Sequence, residues 1–374
     1  MLTIDKNLQF EGLDNFFYVA NEKLTGTILL VDDEINNIQL LKRSLRGYNI
    51  LTASNGKEGL DVLEQNLDKI AIIISDHRMP VMEGTEFLKR ANDMAPDIIK
   101  ILLTGFTDIE ILTDAVNTCN LFQYITKPFD PKELTAIVSS GMEKYNLSSA
   151  RSLMMGDLQE LFYKTIKSIA ATLDAKDAYT HGHSMRVTLY SLMLATTIKP
   201  DDTKFLEEVE IAGILHDIGK VSIPQNVLCK PGKLNDDELK IMRTHSECSE
   251  RLVKNIKQLE DISKWVKAHH EKWDGSGYPD GLKGEEIPLC ARIVAIADTY
   301  DAMTSTRSYR NALTHEVAIT EIKSCAGVQF DPYLAEIFVQ MADKINEAKA
   351  NPDEFYKKYS ILRRKIEQRT QLGL

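Results

Sequence analysis

Thr27-Ile28-Leu29-Leu30-Val31-Asp32-Asp33-Glu34 decides the fold of the first part of the chain. Its apolar and β-branched run is continuous rather than alternating. That suits a strand buried on both faces, with the acids marking its end. Working outward, the pattern repeats. Helix-like Ile35 to Leu45 leads to a strand at Tyr48 to Thr52, and helix-like Lys57 to Asn66 leads to a strand from Ile70 to Ser75 that ends at Asp76. A helix over Thr85 to Asn92, a strand over Ile98 to Leu103, a helix over Ile109 to Asn117 and a strand over Leu121 to Thr126 complete the series. Strands alternating with helices predict βαβ units, hence an α/β domain with a five-stranded parallel sheet and helices on both faces.

Beyond Lys132 the pattern changes to all-α. Lys132 to about Lys176 has no proline and predicts a long connecting helix, with Gly156 the position for a break. Leu134, Ile137, Val138, Met142 and Tyr145 form an apolar stripe on it at i, i+3, i+4 spacing, which either covers the sheet or serves a dimer. A loop-rich island, Asp274 to Pro288, is dense in Gly and Pro. The expected division is an extension at 1–25, an α/β domain at 26–146, a helical linker at 147–160, a helical-bundle domain at 161–345 and a charged helical tail at 346–374. The chain has 374 residues and a net charge of −10, which argues against a general nucleic-acid coat or an anionic-membrane binder. No apolar run approaches the roughly 20 residues of a membrane span. Five cysteines without a C-x-x-C pair suit a reduced, cytoplasmic protein.

In an open parallel sheet, ligands bind beyond the carboxyl ends of the strands. The predicted topology brings Asp32, Asp33, Asp76, Thr104 and Lys127 to that edge. Clustered carboxylates repel unless a cation joins them, and Mg²⁺ prefers such hard oxygen ligands. An ammonium and a hydroxyl beside them suit phosphoryl transfer onto a carboxylate. Val31-Asp32-Asp33-Glu34, Asp76-His77-Arg78-Met79-Pro80, Leu103-Thr104-Gly105 and Lys127-Pro128-Phe129 together resemble the receiver domain of two-component response regulators. The resemblance implies a flavodoxin-like fold with Asp76 as phospho-acceptor. It implies Mg²⁺ held by Asp33, Asp76 and the Arg78 carbonyl with Asp32 assisting, and Thr104, Tyr124 and Lys127 as the switch.

Six of the eight histidines lie between His181 and His270. His216-Asp217 interrupts the apolar stretch Ile211 to Lys220, and burying such a pair without partners costs several kcal/mol. A metal is one solution and a hydrogen-bonded core pair is another. His245, the pair His269-His270 and Asp298, each beside an apolar run, favour the metal. His183 precedes Arg186 by three residues on one helix face, whereas His181 sits about 200° round from His183 and reads as a surface residue. His77 reads as tuning access to Asp76, and His315 as structural.

Asp177-Ala178-Tyr179-Thr180-His181-Gly182-His183, His216-Asp217-Ile218-Gly219-Lys220, His269-His270-Glu271-Lys272-Trp273-Asp274-Gly275-Ser276-Gly277-Tyr278-Pro279, Asp298-Thr299-Tyr300-Asp301 and Arg307-Ser308-Tyr309-Arg310 resemble the HD-GYP family of cyclic di-GMP phosphodiesterases. The resemblance implies His183, His216, Asp217, His245, His269, His270 and Asp298 as metal ligands, with Asp217 bridging. Lys220, Tyr278, Asp301, Arg307 and Arg310 would bind or frame the substrate, and Asp217 and Lys220 would be catalytic. Some members carry a Glu where Tyr179 stands, which helps bind a third metal, so two transition-metal ions (Fe, Mn or Ni) are expected. The implied reaction is hydrolysis of cyclic di-GMP to pGpG, with GMP possible, under phosphorylation control. The implied partners are a sensor histidine kinase and a second copy of the chain in a homodimer, with a diguanylate cyclase as a further partner and no DNA or membrane. Hydrolysis of another cyclic dinucleotide, or a binding scaffold with little turnover, are the alternatives.

Overall fold

The computed structural model describes residues 26–105, 119–176, 182–306 and 311–364. The chain divides into two compact units, 1–155 and 156–374.

In the first unit five parallel strands, β1 (Thr27–Val31), β2 (Asn49–Ala53), β3 (Ile70–Asp76), β4 (Ile99–Gly105) and β5 (Gln123–Lys127), form a sheet in the order β2-β1-β3-β4-β5. The two-residue period of a strand splits its side chains between two cores. Leu29, Val31 and Ile73 face Leu63 of α2 (Gly56–Glu64) and Phe87, Leu88 and Ala91 of α3 (Gly84–Met94). Ile28, Leu30, Ile72 and Ile74 face Leu41 of α1 (Ile35–Ser44) and Leu134, Val138 and Met142 of α4 (Pro131–Lys176). Burial on both faces is why the strand sequences run apolar without alternation. The expected helix over Ile109 to Asn117 lies outside the described residues.

α4 is 46 residues long and passes through Gly156 without a break. Gly141 lets the helix approach the sheet closely: a Cβ there would stand 3.0 Å from Ile99 Cγ2 and press the side chain aside.

In the second unit the helices α5 (His183–Ile198), α6 (Thr203–Leu215), α7 (Gln225–Leu228), α8 (Asp236–Lys254), α9 (Glu260–Lys267), α10 (Leu289–Thr304), α11 (His315–Ser324), α12 (Pro332–Gln340), α13 (Ala342–Ala350) and α14 (Pro352–Tyr359) share one apolar core. α5, α6 and α10 are apolar over most of their surface, as helices at the centre of a bundle must be. The core includes Ala348, Tyr356 and Ile361. Residues 346–364 therefore belong to the bundle rather than to a separate tail. A buried carboxylate ties them in. Glu210 of α6 is 0% exposed and accepts bonds from Tyr356 Oη (2.7 Å), Ser360 Oγ (2.5 Å) and the backbone N–H of Ile361 and Leu362 (2.9 and 3.1 Å). No helix among the described residues is long and apolar enough to cross a membrane.

Candidate active site

At the carboxyl edge of the sheet, ligand atoms of Asp32, Asp33 and Asp76 lie within 4.8 Å of one another. Lys127 Nζ sits between two of them, 2.6 Å from Asp76 Oδ1 and 3.1 Å from Asp32 Oδ2. Asn37 Nδ2 and the Glu34 N–H fix the buried Asp32 carboxylate. Burial lifts the Asp76 carboxylic acid against the pull of Lys127. Thr104 is buried in β4, Tyr124 in β5 is 44% exposed, and Arg78 lies exposed in the loop after Asp76. His77 is buried with Nδ1 unbonded. This edge can hold a divalent cation beside a half-buried carboxylate, the arrangement phosphoryl transfer onto Asp76 requires.

The second cluster is built by four helices and two turns of the second unit. His183 opens α5, directly after Gly182 in the left-handed region (φ 69°). His216 caps the end of α6, and Asp217 opens the short 3₁₀ turn Ile218–Ser222. That turn lies against α8: Ser249 Oγ bonds both the His216 carbonyl and the Gly219 N–H. A Cβ on Gly219 would stand 2.0 Å from the His245 carbonyl, so glycine is required. His245 comes from α8, His269 and His270 follow α9, and Asp298 comes from α10.

Asp217 is the centre. Its Oδ1 lies 3.3 Å from His245 Nε2 and 3.9 Å from His269 Nε2. Its Oδ2 lies 3.4 Å from His216 Nε2 and 3.7 Å from His183 Nε2. Two groups of ligand atoms thus meet on one carboxylate: Asp217, His245, His269 and His270, and Asp217, His183 and His216. Asp298 Oδ1 extends the second, 3.4 Å from His183 Nε2. The hydrogen bonds set the tautomers. His216, His245 and His269 each donate Nδ1–H to a carbonyl, of Gly213 (2.7 Å), Met242 (2.7 Å) and Val266 (2.5 Å). Each Nε2 is left with a free lone pair aimed inward. Those three Nε2 atoms and Asp217 Oδ1 are buried without a hydrogen-bond partner. Unpaired buried groups cost about 1–3 kcal/mol each, and a bound cation removes that cost. The residues present therefore fit a pair of divalent metals.

The electrostatics agree. Burial, then neighbouring His216, pulls His269 down to about 3, and burial likewise depresses His245 and His270, so these rings are neutral donors at pH 7. Burial would raise the Asp217 acid, but Lys220, His216 and His183 outweigh it and keep it ionised. Burial works against a charged His183, yet Asp217, Asp301 and Asp298 hold it up at about 9, so a proton competes with a cation for its Nε2. Lys220 Nζ is 2.5 Å from Asp217 Oδ2, an i, i+3 contact across the 3₁₀ turn rather than a shared α-helical face with His216.

Two buried carboxylates support the cluster from behind. Asp301 is 2% exposed, takes His183 Nδ1 at 2.8 Å, and is bound by Arg186 through Nε (2.6 Å) and Nη2 (2.9 Å). It orients His183 from behind and so frames the cluster rather than lining its surface. Glu271, 3% exposed, was not singled out from the sequence. Its carboxylate accepts the N–H groups of Asp280 (2.7 Å), Gly281 (3.1 Å) and Leu282 (3.1 Å). It thereby fixes the loop that carries Tyr278, whose ring stacks on His270 at 4.9 Å. The signal for it was present: a carboxylate directly before a Gly-rich loop that needs acceptors. His315 bonds Tyr300 Oη at 2.8 Å. Tyr179, His181, Arg307 and Arg310 lie outside the described residues.

Two family models match: the response regulator receiver domain at residues 28–139 and the HD domain at 167–334. A probable cyclic di-GMP phosphodiesterase of Vibrio cholerae serotype O1 is 33% identical, over 87% of this chain and 80% of its own length. The chain belongs to the HD-domain response regulators. Another relative of this response regulator is the cyclic di-GMP phosphodiesterase response regulator RpfG of Xanthomonas campestris pv. campestris, 30% identical over 87% of the chain and 92% of the relative. A 3′3′-cGAMP-specific phosphodiesterase 2 of Vibrio cholerae is 38% identical over 54% of the chain and 39% of its own length. The family's two domains coincide with the two clusters of ligating side chains in this regulator.

Proposed function

We propose that the chain hydrolyses cyclic di-GMP to pGpG at a binuclear metal site, under control of phosphorylation at Asp76. The observation that carries the reading is Asp217, whose two oxygens each face a separate set of histidines. His183, His216 and Asp298 would hold one ion, His245, His269 and His270 the other, and Asp217 would bridge. Such ions supply Lewis acidity and lower the pKa of water at a phosphodiester. The neutral imidazoles leave the cations' charge uncancelled, and Lys220, beside Asp217, offsets charge building on a phosphoryl oxygen. The Tyr278 loop walls one side and Arg307 and Arg310 would grip the rest of the substrate. Tyr179, in place of a glutamate, supports two ions rather than three, and Fe, Mn and Ni all suit a histidine-rich, carboxylate-bridged set.

Regulation would start at Asp76. A sensor kinase would phosphorylate it with Mg²⁺ on Asp33, Asp76 and the Arg78 carbonyl, and Thr104, Tyr124 and Lys127 would register the new charge. α4 begins against the sheet and ends near Asp174, whose carboxylate bonds Ser184 Oγ at 2.9 Å, one residue from His183. That route, acting in a homodimer, would carry the signal, and a diguanylate cyclase is a fitting partner for an enzyme that removes the same messenger. The decisive experiment is product analysis with cyclic di-GMP and 3′3′-cGAMP on protein of measured metal content. The expected result is pGpG at two ions per chain. Asp217→Ala should lose both the metal and the turnover, and full activity in that variant would reject the assignment.

A further inference from the structure

Arg243 was not among the expected substrate contacts. It lies two residues before His245 on α8, about 200° round the helix, a position that turns a side chain away from whatever the histidine faces. Its length brings it back. The guanidinium lies over the Tyr278 ring, with Cζ 5.0 Å from the centroid. Tyr278 in turn stacks on His270 at 4.9 Å, and His270 lies 5.0 Å from His245. A chain of contacts, His270 to Tyr278 to Arg243, therefore runs from the clustered histidines to an arginine at the exposed rim.

The cations differ in what they are free to do. Lys220 is engaged by Asp217, and Arg186 by Asp301. Arg243 has no carboxylate or carbonyl bonded to it among the described residues. The cation–π contact engages none of the guanidinium's N–H groups as hydrogen-bond donors, and a guanidinium with open donors is the group that takes an oxyanion bidentately. The platform is rigid, because Glu271 pins the loop through three N–H groups and the Tyr278 N–H bonds the His270 carbonyl at 3.3 Å. A cation held this way loses little freedom on binding.

We infer that Arg243, presented by Tyr278, binds the second, non-reacting phosphate of a cyclic dinucleotide while the scissile one occupies the metal centre. The inference rests on the proposed phosphodiesterase reading and extends it to substrate selection. The two stacking steps place the guanidinium within about 10 Å of the His270 ring, inside the breadth of a macrocycle carrying two phosphates.

The test compares Arg243→Gln and Arg243→Lys with the wild type in metal-loaded full-length protein. The substrates are cyclic di-GMP and bis(4-nitrophenyl) phosphate, a diester with one phosphate only. Losing a charged hydrogen-bond donor should raise KM for cyclic di-GMP about tenfold or more in the Gln variant, with kcat within about threefold. The Lys variant should recover part of the loss, and hydrolysis of the nitrophenyl diester should stay at the wild-type rate. An unchanged KM for cyclic di-GMP overturns the inference, as does an equal loss on both substrates, which would make Arg243 a structural support of the centre. A wild type that cleaves the nitrophenyl diester and no cyclic dinucleotide overturns the parent reading as well, and so separates the two failures.

Discussion

Replacing Glu271 should open the Tyr278 loop while leaving the fold intact. Three backbone N–H groups, of Asp280, Gly281 and Leu282, end on this one carboxylate at 2.7–3.1 Å. Glu271→Ala strands all three. At about 1–3 kcal/mol per donor left without an acceptor, the local cost is on the order of 3–6 kcal/mol after partial rescue by water. The loss falls on a loop at the edge of the bundle, so it should appear as local opening rather than global unfolding. Glu271→Gln keeps one acceptor oxygen and turns the other into a donor that cannot serve, so it should cost roughly half as much. Hydrogen exchange read at the amides of residues 280–282 measures this directly. Exchange should speed by about a hundredfold or more in the Ala variant and by less in the Gln variant. Metal content should stay at the wild-type level, since His269 and His270 are held by α9 and its turn. KM for cyclic di-GMP should rise because the Tyr278 platform is lost. Wild-type exchange rates at these amides in Glu271→Ala would refute the view that the carboxylate fixes the loop.

Asp301→Asn removes the anionic acceptor behind His183 and weakens its hold by Arg186. A substitution of this kind costs about 10–100-fold in metal affinity, to be read by chelator competition, and an unchanged affinity would count against the positioning role. Lys100 supplies a pH test of stability. Burial pulls its ammonium from 10.5 down to about 8, so between those values the unfolded chain binds more protons than the folded one. Its contribution to stability therefore rises with pH across that window and is flat below it. The gap in denaturant midpoint between wild type and Lys100→Met should widen in favour of wild type from pH 8 to 10, and a constant gap would exclude the linkage.

Lys100 also shows where the sequence stops being legible. In Ile99-Lys100-Ile101 it looks out of place in a buried strand, yet it is 0% exposed and satisfied by Asn92 Oδ1, the Pro96 carbonyl and the Ile98 carbonyl. Nothing in the strand announces that partner set, because two of the three are backbone atoms whose direction only folding fixes. The sheet and its acids were readable for the opposite reason: continuous apolar, β-branched runs, and acids at strand ends, are local facts. The clustering of the histidines was readable because metal chemistry demands particular residue types. Their supports were not. Asp301 was expected, from the resemblance, to bind or frame the substrate, but no sequence signal shows that its carboxylate, three residues along α10 from Asp298, bonds His183 and Arg186. Residues 346–364 read as a charged tail because Lys, Arg, Asp and Glu together outnumber the apolar residues there. Ala348, Tyr356 and Ile361 nonetheless share one buried face, and Glu210 is its distant anchor.

The net charge of −10 takes on a different meaning at this resolution. Several of the acids, Glu210, Asp217, Glu271 and Asp301, are buried, and Asp298 is only partly exposed. Glu210 and Glu271 accept bonds from backbone N–H groups, Asp301 orients a histidine, and Asp217 and Asp298 stand among the clustered histidines. Without cations the carboxylates of Asp217 and Asp298 are offset by Lys220 and a protonated His183, which leaves little net charge to draw in a phosphodiester. With two divalent ions on neutral imidazoles it becomes net positive. On the proposed reading the same ions therefore set both the affinity for the substrate and the chemistry, so metal removal cannot tell binding from catalysis. Arg243 can, because its charge is fixed, stands outside the ligand set and faces the half of the substrate that does not react.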